Sequence, residues 1–142
     1  MSNLINISEG SSLALHGIAI VAIKSPDRIN VKSLAEILDA SVAHLAKIFQ
    51  RLSKAGYVKS VRGPAGGFKL AKNAGDITLL DIYEAIEGTV NLHYCPLGKD
   101  KCQFTHCIFG NKLNKISEQI YADLKEIKLS SFMKTINIKD NS

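Results

Sequence analysis

The sequence predicts a mainly α-helical fold with one small β-hairpin and a long C-terminal helix. Apolar residues recur at helical spacing in several separate segments, and a glycine-rich turn joins two short extended runs. A narrow apolar stripe near the C-terminal end indicates a helix that packs against a partner helix. With 142 residues, 46% of them hydrophobic and 22% charged, the chain is globular and suits one domain of ordinary size, or a small domain plus a dimerisation element.

The first predicted helix begins at a cap on Ser8 and continues to about Lys24. Its most apolar part, residues 13–23, is too short to span a membrane, contains His16 and follows no basic residue. We therefore expect a cytoplasmic protein without a membrane partner. The apolar stripe of this helix consists of Leu15, Ile18, Ala19, Ala22 and Ile23.

Two further helices follow, over residues 31–38 and from a cap at Ser41 to Lys54 or Ala55, with a tight connection between them. The second helix is expected to bury Leu45, Ile48, Phe49 and Leu52. Its opposite face presents His44, Lys47, Arg51 and Lys54. Two short helices with a brief turn, the second of them basic outside, form a helix-turn-helix pattern.

A hairpin directly follows the basic helix. Residues 57–62 and 68–70 have strand character, and the turn between them contains Gly63, Gly66 and Gly67. These glycines serve mainly backbone geometry, and they let such a wing lie close to a DNA backbone. Arg62, at the base of the hairpin, can reach into a narrow minor groove, where the negative potential is strongest.

Positive charge is concentrated in the first half of the chain, although the net charge is only +5. Residues 1–72 contain ten basic and four acidic residues, whereas residues 73–142 contain eight and nine. A surface of one sign attracts phosphates, although charge alone also allows a solvated basic face without a partner. The stretch between Asp39 and Asp76 has no acidic residue and seven basic ones: Lys47, Arg51, Lys54, Lys59, Arg62, Lys69 and Lys72.

The C-terminal half is expected to contain a helix over residues 78–87, opened by a capping box of Thr78 and Asp81. A longer helix over residues 108–128 carries the narrow stripe, which favours pairing with a second subunit. Its members are Leu113, Ile116, Ile120, Leu124 and Ile127. We therefore divide the chain into residues 1–76 for DNA binding, 77–108 as a connecting helix and sensor loop, and 109–142 for dimerisation.

Three cysteines, Cys95, Cys102 and Cys107, lie within thirteen residues of the connecting loop. An odd, clustered number argues against a secreted disulfide framework. Thiolates are soft ligands, and nearby Lys99, Lys101 and a helix N-terminus after Cys107 would lower the pKa of the thiols.

The spacing of the cysteines leaves three interpretations of the loop open. One is an iron–sulfur cluster with a fourth ligand, another is structural zinc with His93 or His106, and the third is metal-free thiols. An electron carrier built on these thiols is a remote alternative, because the sequence lacks a nucleotide-binding glycine motif and any catalytic arrangement.

The segment from Leu52 to Phe68, with its R-G-x-x-G-G-F motif, resembles the IscR/NsrR/RsrR-type regulators of the Rrf-two family. The Ile77-Thr78-Leu79-Leu80-Asp81 segment and the cysteine loop before a long helix extend the resemblance over nearly the whole chain. The resemblance implies a winged helix-turn-helix transcription factor, usually a repressor, which forms a homodimer through its long helices and is not an enzyme.

The same resemblance implies which residues bind. Ser41, His44, Lys47 and Arg62 match positions that contact DNA, and the three cysteines match ligands of a 2Fe-2S or 4Fe-4S cluster. A histidine matching His16 is a ligand in one branch, and some members take a ligand from the partner subunit. That branch has a glutamate where this chain has Ser12, and Glu9, one turn before Ser12, could substitute for it only by a shift.

The expected mode of DNA binding combines positioning contacts with sequence readout. Phosphate contacts would come from Lys47, Arg51, Lys54 and Lys59, and His44, Lys47 and Arg62 would read bases or groove shape. Two such helices in a dimer imply a near-palindromic duplex with half-sites ~34 Å apart.

Overall fold

The computed structural model describes residues 1–64, 66–92, 95–99 and 102–139. The fold consists of helices with one two-stranded antiparallel hairpin, and single 3-10 turns at Ala74–Asp76 and Leu129–Ser131. No helix in these ranges is long and apolar enough to cross a membrane. The elements are α1 (Glu9–Lys24), α2 (Val31–Leu38), α3 (Val42–Lys54), β1 (Val58–Ser60), β2 (Phe68–Leu70), α4 (Leu79–Glu87), α5 (Lys112–Glu126) and α6 (Phe132–Thr135).

Helix α1 is the centre of the fold and packs against α3 and α4. It begins where predicted, because the Ser8 hydroxyl accepts a hydrogen bond of 3.1 Å from the amide of Ser11. Its buried face differs from the predicted stripe: Ile18 and Ala22 are buried, but the other predicted members are only partly covered. The face that enters the core also includes Ala14, Gly17 and Val21.

The predicted helix-turn-helix is confirmed in α2 and α3. Helix α2 ends at Leu38, and the capping residue Asp39 adopts a left-handed conformation with φ 49°, which turns the chain sharply. Helix α3 buries the four predicted residues Leu45, Ile48, Phe49 and Leu52. The Phe49 ring also meets the ring of Phe68 in the hairpin, with centroids 5.1 Å apart, so the wing is packed onto the same core.

The wing is a shorter hairpin than the sequence predicted, and it has an additional edge. Strands β1 and β2 pair antiparallel, and Ile29 then bridges to Phe68 through hydrogen bonds of 2.9 and 3.2 Å. Gly67 has φ +133°, and a Cβ at this residue would lie 2.7 Å from the carbonyl oxygen of Ile29. Glycine is therefore required here for the wing to contact its own chain, independently of any DNA.

The capping box at the start of α4 is confirmed. The Thr78 amide donates to the Asp81 carboxylate at 2.9 Å, and the Asp81 amide donates to the Thr78 hydroxyl at 3.1 Å. Helix α5 begins at residue 112 and not at 108, because Gly110 and Asn111 both have positive φ and form a turn.

The chain after α5 returns to the core. The Leu129 amide donates to the carbonyl of Ile77 at 3.0 Å, and the Leu79 amide donates to that of Ile127 at 2.9 Å. The Leu129 side chain is fully buried among the core residues of the N-terminal part of the chain. The C-terminal end of α5 is thereby fixed, whereas its N-terminal end continues directly from the cysteine loop.

Candidate nucleic-acid interface and cysteine pocket

The basic side chains predicted to contact DNA are carried by α3 and the wing, which adjoin each other. Ser41 caps the N-terminal end of α3, where its hydroxyl oxygen accepts a hydrogen bond of 3.2 Å from the amide of His44. Gly63 at the tip is exposed, and Gly66 and Gly67 are partly covered. The exposed basic residues of this surface are Lys47, Arg51, Lys54, Lys59 and Arg62.

His44 has an acidic neighbour that the sequence did not reveal. Its Nδ1 lies 3.7 Å from Oε1 of Glu9, at the N-terminal end of α1. Both side chains are accessible, with 37% of His44 and 80% of Glu9 exposed, so either can exchange this contact for another partner. Glu9, which the resemblance offered as a substitute cluster ligand, therefore lies beside a predicted DNA contact.

Arg51 connects α3 to the end of α4. Its Nη2 donates a hydrogen bond of 2.6 Å to the carbonyl of Ile86, in the last turn of α4. A cation at a helix C-terminus interacts favourably with the helix dipole. Neighbouring Glu87 accepts hydrogen bonds from the hydroxyls of Ser11, at 2.5 Å, and of Ser8, so α1, α3 and α4 meet at this point.

The three cysteine side chains line one open pocket, which we call the cysteine pocket. Its volume is about 260 Å³, and Phe104, Phe109 and Leu113 contribute apolar wall. Cys95 is partly buried, Cys102 and Cys107 are exposed, and all three thiols are free. Asn114 also lines the pocket, and its side-chain oxygen is buried without a hydrogen-bond partner among the described residues.

Cys107 lies at the start of the turn that leads into α5. Hydrogen bonds from the backbone amides of Asn111, Phe109 and Gly110 lower the pKa of this exposed thiol below its ordinary value. A helix N-terminus was predicted in this role, but the amides belong to the tight turn just before the helix. The sulfur of Cys102 accepts a separate hydrogen bond of 3.4 Å from the amide of Phe104.

Two of the histidines considered as metal ligands, His16 and His106, do not line the cysteine pocket. His16 is exposed, with Nδ1 2.7 Å from the Ser12 carbonyl oxygen, and His106 is exposed beside Thr105. Within the described ranges, no three His, Cys, Asp or Glu side chains are close enough to hold a metal ion. His93 and Lys101 lie outside the described residues.

Comparison with known proteins identifies similar regulators. Residues 7–135 match the Rrf2 family model, described as an iron-dependent transcriptional regulator. The chain is 33% identical over 124 residues to the HTH-type transcriptional regulator IscR of Photobacterium profundum, covering 86% of this chain and 72% of the relative.

Solved structures show the same fold. IscR of T. potens is 25% identical, with a TM-score of 0.71 over 92% of this chain and 88% of that one. CymR of B. subtilis, named as the global cysteine regulator, is 24% identical, with a TM-score of 0.75 over 94% of this chain and 100% of that one. The predicted mainly helical, winged architecture is thereby confirmed.

Proposed function

Because the chain belongs to the Rrf2 family of transcriptional regulators, and not to a family of enzymes, we propose that it is a homodimeric DNA-binding repressor controlled at the cysteine pocket. The observation that carries the proposal is that all three thiols line one pocket whose wall includes residues of the first turn of α5. A regulator of this kind acts on chromosomal DNA, which places it in the cytoplasm.

Helix α3 and the wing are the proposed DNA-binding surface. Lys47, Lys54 and Lys59 are exposed there, and Coulomb attraction and counterion release favour phosphate contacts for such side chains. His44 and Arg62 are the candidates for reading bases or groove shape, and Ser41 has a hydroxyl proton to donate while its oxygen caps α3.

Helix α5 is the proposed dimer contact. It has no buried residue in the single chain, and Ile116 and Ile120 remain 50% and 38% exposed on its apolar stripe. Apolar side chains on a helix of this length favour burial against a second copy. The two copies of α3 and the wing, related by a two-fold axis, would then contact the two half-sites of a near-palindromic duplex. These half-sites lie about one DNA turn, ~34 Å, apart.

The cysteine pocket fits an iron–sulfur cluster in its donor chemistry. All three cysteines line one cavity, although their side chains are not close enough together in this structure to share a metal ion, and the unpaired oxygen of Asn114 adds a polar position in the wall. When bound, a 2Fe-2S or 4Fe-4S cluster supplies thiolate–iron bonds that respond to oxidants, nitric oxide and iron supply. Cys95, Cys102 and Cys107 would hold it, with His16 of the partner subunit as the proposed fourth ligand.

Contacts within this chain would couple the cysteine pocket to the proposed DNA-binding surface. Engaging the Cys107 sulfur competes with the amide hydrogen bonds that it accepts from residues 109–111, the turn from which α5 begins. Helix α5 packs against α4, whose last turn is bonded to Arg51 of α3. A shift of this turn would therefore move α5, the proposed dimer helix. Through α4, it would also move the contact that holds α3 at Arg51. In this account Arg51 mediates coupling in addition to its predicted phosphate contact.

A second candidate is a cluster-free thiol switch at the same pocket. It is favoured by the free and exposed thiols of Cys102 and Cys107 and by the lowered pKa of Cys107. Hydrogen peroxide, as the two-electron oxidant, would accept two electrons and two protons from two of these thiols, which leaves one disulfide and two water molecules. The structural consequence for the turn before α5 is the same.

Anaerobic purification with visible absorption and iron, sulfide and zinc analysis separates these candidates. A cluster predicts visible absorption with iron and sulfide, lost in Cys102→Ala, whereas Ser117→Ala on α5 serves as a control that retains them. Colourless zinc-containing protein would identify structural zinc, and metal-free protein whose thiols are lost on peroxide treatment would support the thiol switch. Failure of the wild-type protein to enrich any duplex from a randomised DNA pool would contradict the proposed function as a whole.

A further inference from the structure

The Arg28 side chain lies against the wing, although it belongs to the connection between α1 and α2. Its Nη1 is 3.3 Å from the position that a Cβ on Gly63 would occupy. Gly63 follows Arg62, the wing residue predicted to approach DNA, and both Arg28 and Arg62 are exposed. The Arg28 guanidinium therefore lies beside the backbone of the residue that follows Arg62.

The backbone fixes Arg28 in this position. The next residue, Ile29, exchanges both of its backbone hydrogen bonds with Phe68 of β2, as an additional edge of the hairpin. The Ile29 side chain is also buried in the core. Arg28 is thus held at the wing by its neighbour, and only its long side chain needs to be ordered when it binds.

The charge of Arg28 is not neutralised within the part of the chain that the structure describes, where it makes no ion pair. Lys24 lies with Arg28 around a shallow pocket behind the wing, which adds a further positive charge; Asp27 contributes the one carboxylate of that pocket. Exposed, mutually repelling cations gain most from a shared polyanion, and the planar fork of arginine suits phosphate oxygens.

We propose that Arg28 is a further DNA-contacting residue, which binds a backbone phosphate beside the groove that the wing enters. The inference rests on the proposed function, in which α3 and the wing dock on duplex DNA. It adds a contact that the sequence did not reveal, because Arg28 precedes the helix-turn-helix and lies outside the acid-free stretch between Asp39 and Asp76.

The test uses a 30-base-pair duplex that the wild-type full-length protein has selected from a randomised pool. Fluorescence anisotropy measures the dissociation constant of the protein–duplex complex across a series of salt concentrations. The proteins compared are the wild type, Arg28→Ala, Arg28→Lys and Arg62→Ala. Lys134→Ala is the control, because it removes one exposed positive charge from α6. Thermal unfolding of each variant reports whether the fold is retained.

If Arg28 binds phosphate in both subunits, the association constant of Arg28→Ala depends less steeply on salt. The slope of its logarithm against log salt concentration decreases in magnitude by about 1.8, because each phosphate contact contributes about 0.9. The corresponding loss of affinity is roughly 10- to 30-fold near 150 mM salt, and Arg28→Lys restores most of it. An unchanged salt slope, or an affinity equal to that of Lys134→Ala, would overturn the proposal. If Arg62→Ala then still weakens binding, the proposed DNA-binding surface stands without Arg28.

Discussion

Nδ1 of His44 and Oε1 of Glu9 lie 3.7 Å apart, and this contact connects the N-terminal end of α3 with that of α1. The contact places a carboxylate next to a side chain proposed to read DNA. An approaching phosphate is repelled by Glu9 and must compete with it for His44. In the proposed mode of DNA binding, Glu9 would therefore oppose the approach of a phosphate to His44.

Glu9→Gln is expected to bind the selected duplex roughly 2- to 5-fold more tightly, because it removes an accessible charge whose effect is limited by solvent screening. Electrophoretic mobility shifts at low and high salt measure the change, which should shrink as salt increases. Glu118→Gln on α5 is the matched control and should leave affinity unchanged. Equal affinities of the wild type and Glu9→Gln at low salt would remove Glu9 from the interface.

A second prediction concerns the close approach of α1 and α3. A Cβ on Gly17 would lie 2.8 Å from the fully buried Phe49 ring, so Gly17→Ala should destabilise the fold by about 1–3 kcal/mol. Gly10→Ala, whose Cβ would meet Ile48 at 3.4 Å, is the control and should be neutral or slightly stabilising. Urea unfolding measures both variants, and equal midpoints would contradict the packing described.

Glu87 predicts how stability depends on pH. Hydrogen bonds from Ser11 and then Ser8, with Arg51 nearby, hold the pKa of its carboxyl below the ordinary value of 4.5. The ionised group therefore stabilises the fold above that ordinary value, and this contribution is lost as the pH falls through the lower pKa of the folded state.

Glu87→Gln should thus be less stable than the wild type at pH 7, with a difference that narrows from about pH 5 downward. Urea unfolding at a series of pH values measures it. Ser11→Ala, which removes the hydrogen bond that lowers this pKa most, should show a smaller difference of the same sign. A difference that stays constant down to pH 3 would show that Glu87 does not stabilise the fold through its charge.

The proposed dimer contact on α5 predicts a substitution that would separate two subunits. Ile116→Glu should raise the dimer dissociation constant by roughly 100-fold or more, because an apolar interface strips water from an unpaired carboxylate. Ala122→Glu makes the same chemical change at an exposed position outside the stripe and should leave the dimer intact. Sedimentation velocity distinguishes the two, and an unaffected Ile116→Glu dimer would place the interface elsewhere.

Much of the fold was predictable because its signals are local. The caps at Ser8 and Ser41 and the Thr78–Asp81 box specify helix starts within three residues of chain, and the structure reproduces them. The buried face of α3 follows from a simple apolar spacing, because this helix contacts the core on one side.

The features that were missed depend on partners distant in sequence. Nothing near Arg51 indicates a carbonyl 35 residues later, and nothing near Leu129 indicates that it returns to the core. The buried face of α1 was misjudged for the same reason, since this helix is covered on more than one side. The cysteines were recognisable as a group, but their common pocket depends on how the loop folds against α5.

The most direct test of the account compares the DNA affinity of one protein in two states of its cysteine pocket. The dissociation constant for the selected duplex is measured for wild type and Cys102→Ala, each purified anaerobically and each again after treatment with chelator or with peroxide. If the thiols control DNA binding, the dissociation constant changes roughly 5- to 150-fold in the wild type and not at all in the variant, which corresponds to a coupling of about 1–3 kcal/mol. Equal affinities of the wild type in all states would contradict control of DNA binding by the three thiols.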